Sequence, residues 1–287
     1  MKGDVLTTVC QAKIKKNLLK DRFGREMVGI LATIYSFFRF KRFCRISYDG
    51  AWIHKCHDGT IVDPKLNFNS ISDIMKESSD AWFHIYKPTR GDIIIDVGAG
   101  TGTDTLLFSR IVGSLGKVIA IEAHPKTFLC LAKMCKYNNL KNVVLYNYAI
   151  TDREMGVLIE NSSNHLRNTI LNQSARALKK GIEIKGTTLD KLLGNHNIEY
   201  ISFLKMNIEG AEKLAITGMK NTLKRTRFIC IACHDFLNKR GGQRNTQTKD
   251  TIIDFLEKNG FKIFTRDTDE RDWVRDHVHG INRVLLS

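Results

Sequence analysis

Three stretches of this sequence gather residue types that do chemistry. The first, "DVGAGTG" from Asp96 to Gly102, sets Gly98, Gly100 and Gly102 at alternate positions between the apolar run Ile93-Ile94-Ile95 and a helical-looking segment. A glycine turn between strand and helix lets the backbone come close to a ligand or to a packed neighbour. It is not the dinucleotide fingerprint, whose third glycine would stand where this chain has Thr103. The second is Glu122, 20 residues past Gly102 at the end of "KVIAIE". A carboxylate at a strand tip can accept hydrogen bonds from both hydroxyls of a ribose, which suits any adenosine ligand. The third is a pair of strand ends, "KMNIEGAE" with Lys205, Asn207 and Glu209, and "CHD" with His234 and Asp235.

The elements that must position these residues follow a regular beat. From Gly91 onward, "GDIIIDVG", "GKVIAIE", "NVVLYNYA", "YISFLKMN", "RFICIAC", "FKIFTR" and "INRVLLS" read as strands. Amphipathic stretches alternate with them: 104–112, 125–137, "EGAEKLAITGMKNTL" and "TKDTIIDFLEKNG". That alternation predicts a mostly parallel α/β sheet with helices on both faces. Upstream, Asp49-Gly50 and Asp58-Gly59 sit in an alternating stretch and predict tight hairpin turns. The domain reading is therefore a helical and β-hairpin extension over 1–88 and an α/β domain over 89–287. The polar, irregular stretch 161–181 is long for a connection in a compact domain and is the candidate for contacting an acceptor.

Composition narrows the partners. The chain carries 45 Lys+Arg against 30 Asp+Glu, a formal charge of +15, and favours anionic partners. Residues 1–45 hold 11 basic and 3 acidic residues around "MVGILATIYSFF", a run of 12 that is too short to span a bilayer. It is read either as a helix packed on the core or as an interfacial helix on anionic lipid. Seven cysteines at irregular spacing, with no secretory signal before them, are read as the thiols of a reduced, cytoplasmic protein, peripheral at the membrane if the basic segment binds lipid. "HKCHDG" has metal-ligand residue types, and Cys230-x-x-Cys233-His234 has the spacing of haem attachment. The second lies in a strand that reads as buried, and no metal is assigned.

At this point the sequence resembles the class I S-adenosylmethionine-dependent methyltransferases. More narrowly, "GDIIIDVGAGTGTDTLLFSR", "GKVIAIEAHPKTFLCLAKMCKYNNLKNVVLYNYAITD", "GTTLDKLL" and "ISFLKMNIEGAEKLAITGM" are similar, block after block, to the FkbM-type family over about 91–235. The resemblance implies a Rossmann-like class I sheet, S-adenosylmethionine as cofactor, and O-methylation of a glycan, glycolipid or related small molecule. It implies cofactor contacts at Asp96, Gly98, Ala99, Gly100, Thr101, Gly102, Glu122, Ala123, Asn147, Ala149 and Asn207. His234 is the candidate base, with Asp235 orienting it or the acceptor and with Lys205, Asn207 and Glu209 close by. The bland readings are that Lys205 pairs with Glu209 or Glu212, that Glu209 sits near a helix N-terminus, that His234 is structural and that Asn147 caps its own turn. Two departures stand out: Asn207 replaces the family's usual Asp, and Ala232 stands where a Glu often precedes the histidine. They open the question of a changed mechanism, a changed need for a divalent metal, or a degenerate binding protein. RNA methylation is the alternative that the charge suggests, without a recognisable RNA-binding module.

Overall fold

The computed structural model of the chain describes residues 21–160, 181–194, 196–236 and 247–285. The chain divides into two compact units, Met1–Ser72 and Asp73–Ser287. The acceptor segment expected over 161–181 lies outside the described residues except for Gly181.

In the first unit, Asp21 caps helix α1 (Arg22–Phe40) by accepting from the Gly24 amide. The buried face of α1 is made of the small or short residues Gly24, Val28, Gly29, Ala32 and Ser36. Small side chains let the helix backbone approach strand β1 (Cys44–Tyr48): a Cβ at Gly29 would fall 2.7 Å from the Ile46 carbonyl oxygen. Thr33 Oγ1 accepts from the Ile46 amide at 2.9 Å and ties the two elements. Strands β2 (Trp52–Cys56) and β3 (Gly59–Asp63) complete an antiparallel meander. The expected Asp-Gly turns are present, with φ of 71° at Gly50 and 142° at Gly59.

The register of β1 on β2 sets Cys44 opposite Cys56, with Cα atoms 4.2 Å apart, and the two are disulfide-bonded. The reading of all seven cysteines as reduced thiols is corrected at this pair, because cross-strand register, not sequence spacing, brings them together. The bond also takes Cys56 out of a metal site in "HKCHDG". His54 is buried and accepts from the Asn67 amide at 3.1 Å, while His57 is exposed. Among the described residues, no helix is long and apolar enough to cross a membrane.

Helix α2 (Ile71–Trp82) crosses the division, which falls earlier than the expected 88. The reason is that the residues at and after its end belong to the second core: Tyr86 stacks on Phe228 at 3.9 Å, and Phe83 packs against Phe108 and Phe203. That core surrounds a seven-stranded sheet of β4 (Ile93–Val97), β5 (Lys117–Ile121), β6 (Val143–Tyr146), β10 (Ile201–Met206), β11 (Thr226–Ala232), β12 (Phe261–Thr265) and β13 (His277–Asn282). The order is β12-β13-β11-β10-β4-β5-β6, and β13 alone runs antiparallel to its neighbours. This is the mostly parallel α/β sheet that the alternation of strands and helices predicts.

The alternation along each strand divides two apolar layers. Ile94, Val118, Phe203 and Phe228 face one side with Trp82 and with Leu107, Phe108 and Val112 of helix α3 (Thr103–Val112). Ile95, Ile119, Leu204 and Ile229 face the other with Leu189, Ile216, Leu223 and Leu256. Those four come from helices α5 (Leu189–Gly194), α6 (Glu212–Ile216), α7 (Lys220–Lys224) and α8 (Lys249–Lys258); α4 (Pro125–Tyr137) joins β5 to β6. A small second sheet of β7 (Ala149–Ile150), β8 (Met155–Glu160) and β9 (Gly181–Thr187), ordered β7-β9-β8, was not expected.

Two further expectations are corrected. The last strand is "HVHGIN", not "INRVLLS", and it pairs antiparallel with both neighbours. The single helix expected over "EGAEKLAITGMKNTL" is two short ones, α6 and α7. Gly218 breaks it, where a Cβ would come 2.3 Å from the Thr151 carbonyl oxygen.

Phe203 is 1% exposed at the centre of the Trp82 layer. Truncation of such a ring leaves a cavity, so Phe203→Ala is expected to lower unfolding free energy by about 3–5 kcal/mol in a denaturant titration, with the far-UV spectrum of the native state unchanged.

Candidate functional site

β4 and β10 lie side by side where the strand order reverses, so the crevice at their carboxyl ends is a topological switch point, the usual ligand position in an open α/β sheet. A cleft of about 800 Å³, including its open mouth, occupies this place. Of the residues expected to hold a cofactor, Gly98, Gly100, Glu122, Ala123, Ala149 and Asn207 line it, and so does Glu209.

The three glycines do different work. At Gly98 (φ 74°) a Cβ would lie 1.9 Å from the Asn207 carbonyl oxygen, so this glycine lets β4 and β10 close on each other. At Gly102 (φ 95°) it would meet Met134 and Leu131 of α4 at 2.3 and 2.6 Å. At Gly100 (φ 58°) it would meet nothing within 4 Å. Of the three, only Gly100 has open space where a Cβ would stand, and its amide donates to Glu122 Oε2 at 2.9 Å. Glu122 Oε1 accepts from the His124 amide at 2.8 Å. Burial pushes the Glu122 carboxyl up, and these two amides work against that rise.

Beneath the turn lies a buried ion pair. Lys205 Nζ is 2.9 Å from Asp96 Oδ1, 2.9 Å from the Gly98 carbonyl oxygen and 3.5 Å from Asp104 Oδ2. Burial disfavours its ammonium, but Asp96 and Asp104 more than offset this and hold its pKa above the ordinary lysine value. Asp96 also accepts from Thr105 Oγ1 at 2.6 Å. Asp96, Ala99, Thr101 and Gly102 are thus parts of the frame and do not line the cleft. Asn147 does not line it either: its Nδ2 donates to the Glu122 and Ala123 carbonyls, each at 2.8 Å, and braces the tip of β5.

A second ionic cluster flanks the mouth. His234 Nε2 lies 3.5 Å from Glu209 Oε1, and its Nδ1 lies 3.3 Å from Glu212 Oε1, off the line of a hydrogen bond. Burial disfavours a charged ring, but the two carboxylates prevail and push His234 up to about 10. The ring that the sequence offers as a base is therefore engaged by two carboxylates. Asp235 is turned elsewhere as well, since its Oδ1 accepts from the Thr248 and Lys249 amides at 2.7 and 3.2 Å at the start of α8. Glu209 sits in the left-handed region (φ 55°), a conformation that costs roughly 1–3 kcal/mol for a residue with a Cβ. Gly210 follows at φ 98°.

The cleft tests well against an adenosine ligand that carries an ammonium group. Glu122 supplies carboxylate acceptors, Gly100 leaves room, and Ile121, Tyr148, Ile150 and Ile159 supply apolar walls. Asn207 Oδ1 is buried on the wall with no hydrogen-bond partner among the described residues, an acceptor ready for a donor from outside. Sequence reasoning missed His124, Tyr148, Ile159 and Glu212. The first two are chain neighbours of named residues, but Ile159 comes from the unexpected sheet, and only "EGAE" spacing pointed to Glu212. Ala232, at the family's Glu position, is buried in the apolar layer with Trp82 and Phe228. The haem spacing dissolves in the same way: Cys230 belongs to that layer and Cys233 to the opposite one.

Comparison with solved structures finds the FkbM methyltransferase of Methylobacillus flagellatus KT at 13% identity and TM-score 0.47, over 71% of this chain and 47% of that one. The chain thus spans about half the length of that protein. Aeropyrum pernix fibrillarin with natively bound S-adenosyl-L-methionine matches at 13% identity and TM-score 0.42, over 81% of this chain and 94% of that one. SMU.1697c of Streptococcus mutans in complex with SAH matches at 14% identity and TM-score 0.41, over 74% and 98%. The family comparison is decisive: residues 96–263, more than half of the chain, match the family described as the methyltransferase FkbM domain. With the glycine turn, the strand-end Glu122 and the Lys205–Asp96 pair all inside that span, the chain belongs to the FkbM methyltransferase family.

Proposed function

We propose that this chain is an S-adenosylmethionine-dependent O-methyltransferase acting on a hydroxyl of a glycan, glycolipid or related small molecule. The observation that carries the reading is the meeting, in one cleft at the switch point, of Gly100 with open space before it, the Glu122 carboxylate and the unpartnered Asn207 Oδ1. When bound, the cofactor supplies an electrophilic methyl group on a sulfonium. Glu122 would accept from its ribose hydroxyls and Asn207 Oδ1 from its ammonium. Ile121, Tyr148, Ile150 and Ile159 would exclude water from the base. Glu209, on the cleft wall with its side chain 19% exposed, is the group we assign to hold the proton of the acceptor hydroxyl. The His234 imidazolium beside it is a positioning group that fixes the Glu209 carboxylate.

The first unit supports an acceptor at a lipid surface. On α1, Phe23, Ile30, Leu31, Ile34, Phe37 and Phe38 are all exposed, opposite the small-residue face that packs on β1. Arg22, Arg25, Arg39, Lys41 and Arg42 lie on or next to the same helix. A basic helix with one large apolar face outward is the pattern of interfacial binding to anionic lipid. The helix also packs through its other face, where Val28 and Ala32 meet Ile46 and Trp52.

Calorimetric titration of the wild type with S-adenosylmethionine and S-adenosylhomocysteine is expected to show one site, with Gly100→Val abolishing binding and Glu122→Ala weakening it about 10-fold or more. Glu209→Gln is expected to keep cofactor binding while slowing methyl transfer about 100-fold. A folded wild type that binds neither cofactor form overturns the reading, and one that binds but methylates no hydroxyl acceptor leaves a binding protein.

The His234 cluster has a pH signature. Its folded pKa, about 10, lies above the ordinary histidine value of 6.5. The stability it contributes is therefore complete below about pH 6.5 and is lost as pH rises through about 10. Urea titrations between pH 6 and 10 should show this fall in the wild type and a flatter profile in His234→Gln.

For the lipid surface, flotation with phosphatidylserine-containing vesicles is expected to carry the wild type upward. Neutral vesicles, or a Phe37→Asp/Phe38→Asp variant, should leave it behind, and a wild type indifferent to anionic vesicles removes the lipid reading.

A further inference from the structure

Outside the cleft, one cluster of donor side chains is used by nothing described so far. Cys230 on β11 and His277 and His279 on β13 are 0%, 1% and 0% exposed. Cys230 Sγ lies 3.9 Å from His277 Nδ1 and 3.9 Å from His279 Nε2, and the three donor atoms all fall within 4.8 Å of one another. None of the three lines the cleft. We propose that Cys230, His277 and His279 form a binding site for a borderline divalent cation, with Zn²⁺ as the best fit.

His277 and His279 are two apart on one strand, so their side chains leave the same face, and the antiparallel register sets His279 directly opposite Cys230. The convergence is fixed by the sheet and does not depend on a chance rotamer of a surface loop. Tetrahedral zinc with one sulfur at about 2.3 Å and nitrogens at about 2.0–2.1 Å places sulfur and nitrogen about 3.6 Å apart. The two observed sulfur–nitrogen distances exceed that by a few tenths of an ångström, a small inward movement.

The environment suits the same class of ion. One thiolate and two imidazoles are a mixed soft and borderline donor set, which favours Zn²⁺ over Ca²⁺ or Mg²⁺. His279 Nδ1 has no hydrogen-bond partner among the described residues, and its Nε2 faces the Cys230 sulfur at 3.9 Å. The contact that a cation would displace is weak, a 3.3 Å approach of His277 Nδ1 to the Ala81 carbonyl oxygen. Trp82 stacks on the His277 ring at 4.6 Å and holds its plane. Lys205 is the in-register neighbour of Cys230 on β10, but its ammonium is engaged by Asp96, Asp104 and the Gly98 carbonyl. The ring centre of His84 lies 5.2 Å from that of His279, outside the three-donor cluster.

Binding balances simply. Coordinate bonds form from Cys230 Sγ, His277 Nδ1 and His279 Nε2 to the cation, and the thiol proton passes to the buffer, so the site gains a single positive charge. The consequence is mechanical: the cation would pin the one antiparallel strand of the sheet to β11, at the strand whose end carries His234.

The test uses the full-length, tag-free protein, stripped with chelator and titrated with Co²⁺. The expected result is about one equivalent bound, with visible bands of tetrahedral intensity, a near-ultraviolet thiolate-to-cobalt band, and displacement of both by Zn²⁺. Cys230→Ala should lose the near-ultraviolet band, His279→Ala should weaken binding at least about 100-fold, and His57→Ala, at an exposed site in the other unit, should change nothing. Should Cys230→Ala fail to fold, Cys230→Ser and the wild-type spectrum with its melting temperature, raised by Zn²⁺, still decide. A folded wild type that binds no Co²⁺ or Zn²⁺, or a thiolate band that survives in Cys230→Ala, overturns the proposal.

Discussion

The contact on which the site depends is the buried ammonium of Lys205 against Asp96 and the Gly98 carbonyl, each at 2.9 Å. A buried lysine is expensive to desolvate and is tolerated only when its charge and its donors are matched. Here Asp96 and Asp104 supply the charge, the Gly98 carbonyl a further acceptor, and Trp82 an aromatic face 5.1 Å from Nζ. Because Asp96 and Gly98 belong to the end of β4 and Lys205 to β10, the pair locks the two strands at the switch point. The Asn207 amide, donating to the Val97 carbonyl at 2.9 Å, continues that lock by one residue. The glycine turn is thereby fixed with the Gly100 amide toward Glu122. Removing Lys205 would leave the Asp96 carboxylate buried without its cation, and removing Asp96 would leave the ammonium only Asp104 at 3.5 Å; either way the turn would lose its floor.

The charge balance of the whole chain says little about this centre. The formal charge is +15, yet among the described residues the cleft wall carries the carboxylates of Glu122 and Glu209 and no lysine or arginine. The basic excess is concentrated instead around α1, beside its exposed apolar face. A cofactor with a sulfonium and an ammonium is cationic at its reactive end, and a carboxylate-lined cleft is suited to it. The two charge patterns are therefore separate in the chain, carboxylates on the cleft wall and basic residues around α1.

What could be read from the sequence was local. The glycine turn and Glu122 depend on spacings of a few residues and lie where expected, and the strand-helix alternation holds except at the last strand and at the helix that Gly218 interrupts. Individual roles within the turn were not legible, because whether a side chain faces the cleft or the frame depends on packing from another strand: Asp96 faces Lys205, and Asn147 turns back to the tip of β5. The surroundings of His234 were not legible for the same kind of reason. His234 looked available until Glu209 and Glu212, contributed by the segment after β10, closed on both ring nitrogens. The Cys44–Cys56 bond needed cross-strand register, and "HVHGIN" lacks the β-branched density that marks a strand. Gly218, inside an otherwise helical pattern, broke the helix because another backbone crosses there.

The sheet register carries one more argument. Asp96, Lys205, Cys230 and His279 are successive partners across β4, β10, β11 and β13, so four polar side chains form one rank on the Trp82 face. At its first two members the rank closes into an ion pair in which each charge meets its opposite. At its last two members, the described protein groups offer only 3.9 Å contacts to sulfur, and His279 Nδ1 has no hydrogen-bond partner among the described residues. Apolar side chains would fill that position with less penalty, as Phe203 and Phe228 do two residues earlier on the same strands. A cation joining Cys230, His277 and His279 would make the second half of the rank equivalent to the first: a charged group, matched by donors, binding one strand to the next.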